Sequence, residues 1–215
     1  MLPFTRTQFI AVFVEHNLDV WPLQVAAALL ALAMIVWLLV ATPTRDGGRM
    51  VAAGLAALWL ATAIGYHGMH FTAINPLAWA FAMLFAVQAL LLMHAGVLRA
   101  RLGFGSAQGL RAAAGWVLMA YAMFGYPAIG LALGARWGEL PAFGLTPCPL
   151  ALFTIGVLQL ANPPLPRALL VVPLLWSVIG GSAALLLDMP QDLALPLAAV
   201  ALLAAARPSI GAAAR

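Results

Sequence analysis

Lysine does not occur in this chain, and all ten basic residues are arginine. A retinal Schiff base requires a lysine amine, so seven helices here would not make a rhodopsin. Cysteine occurs once, as Cys148, which excludes an intramolecular disulfide and any multi-thiolate metal site within one chain. Charge of either sign is scarce. Only 7% of the 215 residues are charged, against about 25% in an ordinary soluble domain, and that scarcity excludes a soluble globular protein. The basic balance, with a pI near 10.2, raises the question of nucleic acid. The arginines, however, stand singly at the edges of apolar runs and form no patch, so no nucleic-acid partner is expected.

What is abundant is apolar sequence, 65% of the chain, in runs near the roughly 20 residues that span a bilayer. The expected fold is an all-α membrane protein, a single polytopic domain over residues 1–215 with seven transmembrane helices and a short N-terminal interfacial amphipathic helix. That interfacial helix is expected at 4–17, opened by the capping box Thr5-Arg6-Thr7-Gln8 and carrying Phe9, Ile10, Phe13 and Val14 at helical spacing. The spans are expected at about 20–41, 50–66, 76–98, 110–133, 147–162, 167–187 and 191–206. The run 147–162 is short, so a re-entrant hairpin is its alternative. Phe9–Val14 is too short for a signal-peptide core and no Ala-x-Ala site follows it, so no cleaved leader is expected.

Arginine placement sets the orientation. Arg45, Arg49, Arg99, Arg101, Arg111, Arg167, Arg207 and Arg215 fall on one side of the alternating runs, and only Arg6 and Arg136 on the other. The positive-inside rule puts the eight in the cytoplasm, N-terminus out and C-terminus in. Five of the six acidic residues then lie outside, together with the stretch Tyr66–Pro76. That stretch reads as an uncharged but polar corner between two runs, with two histidines, a tyrosine, a threonine and an asparagine. Polar groups beside hydrocarbon need internal partners, and an outward-facing pocket is expected to be lined by Tyr66, His67 and Asn75 of this corner together with Tyr126 and Cys148.

His67 and His70, three apart, share a face if the helix continues past Tyr66, and are the candidates for a metal pair that Glu15, His16 or Asp19 would complete. No metal site is assigned, because an isolated His-x-x-His lacks further ligands. Asn75-Pro76 and Thr146-Pro147-Cys148-Pro149 place a capping side chain ahead of a proline suited to a first helical turn. His94, within a run, reads as a cross-helix hydrogen-bonding residue; the other three histidines fall near the opposite face, so no haem site is expected. Glycines 125, 130, 134, 156, 180 and 181 permit close helix packing.

Leu2-Pro3-Phe4-Thr5-Arg6-Thr7-Gln8-Phe9, Trp21-Pro22, Tyr66-His67, Ile74-Asn75-Pro76, Tyr126-Pro127, Phe143-Gly144, Pro147-Cys148-Pro149 and Phe153-Thr154-x-Gly156 together resemble an uncharacterised family of small bacterial multi-pass inner-membrane proteins, a domain of unknown function. The resemblance spans essentially the whole chain. It implies residence in the bacterial inner membrane, and it brings no activity, substrate or cofactor. The family pattern has His67 but an aromatic residue in place of His70.

Three functions fit this reading. One is transport or binding of a small solute through an outward-facing polar pocket. The second is a structural or accessory subunit of a larger membrane complex. The third, less favoured, is a membrane-embedded redox or metal-dependent enzyme, which a bound chromophore would support. The expected partners are the lipid bilayer, a small solute, and a homo-oligomer or larger membrane complex. No cofactor is expected.

Overall fold

A computed structural model describes residues 2–205; Arg207 and Arg215 lie outside that range. Among the described residues the chain is helical, with no strand and one isolated β-bridge between Phe104 and Ala161.

Helix α1 (Arg6–Asp19) starts at the expected capping box: Gln8 N–H donates to Thr5 Oγ1 at 3.2 Å and Thr5 N–H to Gln8 Oε1 at 2.9 Å. Its buried residues, Phe9, Val12, Phe13 and His16, recur at three- and four-residue spacing, so one stripe faces the bundle. Helix α2 (Leu23–Val40) buries only Ala27, Ala31 and Met34, and leaves Leu29, Val36, Leu39 and Val40 exposed. An outer face so apolar suits lipid or another protein surface rather than water.

Helix α3 (Arg45–Ala61) is capped by Thr44, whose hydroxyl accepts from Gly47 N–H at 3.0 Å. It does not stop at Tyr66. It continues as a π-helix over Thr62–His70 and a 3₁₀ turn over Phe71–Ala73, which corrects the view of Tyr66–Pro76 as a connector. Only the turn around Ile74–Leu77 separates it from α4 (Ala78–Leu91), which itself widens into π geometry over Leu92–Leu98. Helix α5 (Gly109–Ala120) passes through a π segment, Tyr121–Gly125, into α6 (Tyr126–Ala132). Pro127 explains that widening. Proline cannot donate to the helical ladder, and a wider turn just before it lets Tyr126 N–H reach back to the Tyr121 carbonyl instead.

Helices α7 (Pro147–Leu160), α8 (Ala168–Leu186) and α9 (Ala194–Ala205), the last entered through a 3₁₀ turn at Pro190–Leu193, complete the bundle. Five helical segments are long and apolar enough to cross a membrane: Leu23–Val40, Arg45–Ala73, Ala78–Leu98, Gly109–Ala132 and Ala168–Leu186. Pro147–Leu160 and Pro190–Ala204 are apolar but shorter.

Helix α7 is the axis of the fold. Every residue in it except Cys148 is buried, enclosed by α3, α5, α8 and α9. Close approach to α5 depends on two facing glycines: a Cβ on Gly156 would stand 2.8 Å from the Gly115 carbonyl oxygen, and one on Gly115 2.9 Å from that of Gly156. At 14 residues α7 is about 21 Å long, well short of a bilayer's hydrocarbon core. Its C-terminal end is closed by polar contacts. Arg111 donates to the Ala161 carbonyl, Asn162 N–H donates to Gly103 O at 2.7 Å, and the Asn162 side chain bridges Phe104 O and Ser106. Its N-terminal end opens on a cavity.

Candidate functional site

Three segments that the arginine split puts on the external side, α1, the 133–146 connector and the turn after α8, meet at the N-terminal end of α7. Arg6 Nε donates to Leu187 O at 3.0 Å, Asn17 Nδ2 to Leu140 O at 2.8 Å, and Tyr121 Oη to Gln191 O at 2.8 Å. These bonds tie α1, the 133–146 connector and the turn after α8 into one polar layer. Beneath it lies a cavity of about 160 Å³. Its wall holds Tyr66, Asn75, Tyr126 and Cys148, four of the five candidate residues, with Trp176 and Asp192. The fifth, His67, is fully buried beside this wall rather than on it. A second, more polar recess of about 390 Å³ at the same end is lined by Arg6, Glu139, Asp188 and Gln191 among others.

The cavity is less polar than a pocket of Tyr, His, Asn and Cys suggests. Phe4, Phe9, Phe13, Phe71 and Phe81 all line it, and apolar groups supply most of its surface. Its polar groups are few and placed by tertiary packing. Tyr126 Oη donates to Asp192 Oδ1 at 2.5 Å, with both side chains buried. The Tyr66 hydroxyl and the Trp176 indole N–H are buried and have no hydrogen-bond partner among the described residues. Asn75 is spent locally, since its Oδ1 accepts from Leu77 N–H at 3.1 Å in the turn before α4. Thr146, expected to cap α7, turns its hydroxyl back to donate to Ala142 O at 2.8 Å.

His67 and His70 part company, which removes the metal pair. In π geometry each residue advances less around the axis, so side chains three apart no longer share a face. His67 turns inward among aromatic rings, with centroids 4.6 Å from Phe85 and 5.3 Å from Trp176, and neither ring nitrogen has a partner among the described residues. His70 turns toward α1. Its Nδ1 faces Gly65 O at 2.8 Å and its Nε2 the Asp19 carboxylate at 2.9 Å.

His16 completes that cluster: its Nε2 faces Leu145 O at 3.0 Å, leaving Nδ1 as acceptor 3.4 Å from His70 Nδ1. Burial first, and the neighbouring His70 second, push the His16 imidazole down to about 4. Glu15 takes no part in these contacts. Among the described residues no group of three or more His, Cys, Asp or Glu is arranged to hold a metal.

Other sequence expectations separate in the same way. His94 is exposed and makes no cross-helix hydrogen bond among the described residues. Gln88 does, donating from Nε2 to Leu169 O at 3.1 Å. Sequence reasoning passed over Asp192 and Trp176. Asp192 carried a signal, being one of only six acidic residues and standing at the head of an apolar run. Trp176, one tryptophan among seven, carried none.

A model of a family of unknown function, DUF6064, matches residues 6–211. No curated protein and no solved structure matches the chain.

Proposed function

We propose, from the premise that the chain belongs to the DUF6064 family of unknown function, that it is an integral protein of the bacterial inner membrane that binds or transports a small solute through a cavity opening to the external side. The observation that carries this reading is the cavity at the head of α7, lined by Tyr66, Tyr126, Trp176 and Asp192, two of which, Tyr66 and Trp176, hold a buried polar atom without a partner among the described residues. Unpaired polar atoms in a buried wall cost free energy, and sites that keep them commonly use them on a ligand.

Seven spans are proposed, N-terminus out. The five long helices cross outright, while α7 and the Pro190–Ala205 segment are too short to do so alone. Helix α7 needs no lipid contact because other helices enclose it. Its missing length is taken up at one end by the Arg111 and Asn162 contacts and at the other by the cavity. The arginine-rich connectors sit at the α7 C-terminal end, which the positive-inside rule makes cytoplasmic, and the cavity then opens outward.

The test is thermal unfolding of the detergent-solubilised chain across a panel of small solutes, run in parallel on Ala183→Phe, which places a ring in the cavity. A solute that raises the melting temperature of the unaltered chain and not of the variant supports the site. A panel in which every stabilising solute acts equally on both contradicts it.

A further inference from the structure

The cavity wall has one side chain that can carry charge strongly, and it is acidic. Asp192 is the sole carboxyl or basic side chain among the described residues lining the cavity, and it is 2% exposed. Its contact with Tyr126 supplies a neutral donor, and no ion pair among the described residues reaches it. A buried carboxyl group with no cation beside it can ionise only at a desolvation penalty, which a cationic ligand would offset.

The rest of the wall suits the same charge. Phe81 and Trp176 stand edge to face at 5.4 Å, and Phe71 stacks with Phe81 at 6.4 Å. Aromatic faces carry negative potential and attract ammonium groups within about 6 Å. An anion finds little here. The N-terminus of α7 is the natural place for one, but Pro147 and Pro149 remove two of the backbone N–H groups that would bind it. Volume sets the size, since a dry cavity of about 150 Å³ holds a benzene ring, close to the 160 Å³ found here.

We propose that the cavity takes a small organic ammonium ion, an aryl- or alkylamine of about benzylamine size, with its cation on Asp192 and its apolar body among Phe71, Phe81 and Trp176. This rests on the solute-binding reading above and adds the charge and size of the solute.

Isothermal titration of the full-length detergent-solubilised chain with benzylamine, benzyl alcohol and benzoate separates the two. These probes share a ring and differ in charge. The expected order is benzylamine tighter than benzyl alcohol by about tenfold, with benzoate weakest, and with the amine's advantage lost in Asp192→Asn. The three probes on the unaltered chain decide the matter even if that variant does not fold. Alcohol and amine binding equally would keep the solute site and overturn the ammonium assignment. Benzoate binding tightest would overturn it as well. Binding of none of the three would overturn both.

Discussion

Tyr126 and Asp192 meet across 66 residues of sequence, hydroxyl to carboxylate at 2.5 Å, with both side chains buried. The contact joins the first turn of α6 to the 3₁₀ turn that leads into α9, at the level where the cavity begins. Tyr126→Phe removes the donor and leaves the carboxyl group buried without it. The expected loss is about 1.5–3 kcal/mol, the range for hydrogen bonds to charged groups. Unfolding of the purified variant checks this, and a double-mutant cycle with Asp192→Asn should show the two changes to be non-additive.

His67 is expected to tolerate an apolar ring. Its imidazole lies against Phe85 and Trp176 with both nitrogens unpartnered among the described residues. Replacing it by a ring without polar atoms removes a desolvation cost and keeps the packing. His67→Phe should therefore melt at or above the unaltered chain's temperature, whereas His67→Asn should lose about 1–3 kcal/mol through a cavity and a stranded amide. A His67→Phe variant that folds yet fails to bind solute would assign the imidazole a role in binding beyond packing.

Acid should loosen the attachment of α1. The His16 imidazole sits at about 4 in the folded chain, against about 6.5 when unfolded. Between those values the unfolded chain binds the extra proton, so this contribution to stability is intact above about pH 6.5 and is lost as pH falls toward 4. The groups facing His16 are His70 and, through it, Asp19. Melting temperature measured across that window should fall, and His16→Gln should flatten the slope.

Gly156 is expected to admit no side chain. An added Cβ would stand 2.8 Å from both the Gly115 carbonyl oxygen and the Met119 side chain, and 3.0 Å from the Met119 amide nitrogen. Two of these three atoms are backbone, so the helices must separate. Gly156→Ala should cost about 1–3 kcal/mol, as overpacking does, and Gly156→Leu should abolish folded yield in detergent.

Reporter fusions after residues 46, 105 and 215 should report cytoplasm, and one after residue 140 the outside. The prediction rests on the arginine split. A cytoplasmic signal at 140 would contradict the arrangement of the first four spans.

The sequence carried the all-helical character in its apolar runs and the first cap in Thr5 and Gln8, because both depend on neighbours in the chain. It also pointed to Tyr66, Asn75 and Cys148 at the ends of those runs and to Tyr126 within one, and the fold sets all four on one wall. What it did not carry are facts of helix rotation and partnership. Nothing local announces that π geometry turns His67 and His70 to different faces, or that α7 is enclosed on every side. The pairing of Tyr126 with Asp192 and the edge-to-face contact of Trp176 with His67 exist only once the extended α3, α6, α8 and α9 have packed. Proline at 127 was visible and its effect on the turn before it was a missed inference.

Cys148 offers the most direct measurement, because the chain's one cysteine lies on the cavity wall. A small membrane-impermeant thiol reagent, applied to intact spheroplasts and separately to inside-out vesicles, reports whether the cavity opens and to which side. The account predicts modification of Cys148 from the spheroplast exterior, suppressed in Ala183→Phe, with inside-out vesicles unreactive. Modification confined to inside-out vesicles, or none in either preparation while the denatured chain reacts, would contradict it.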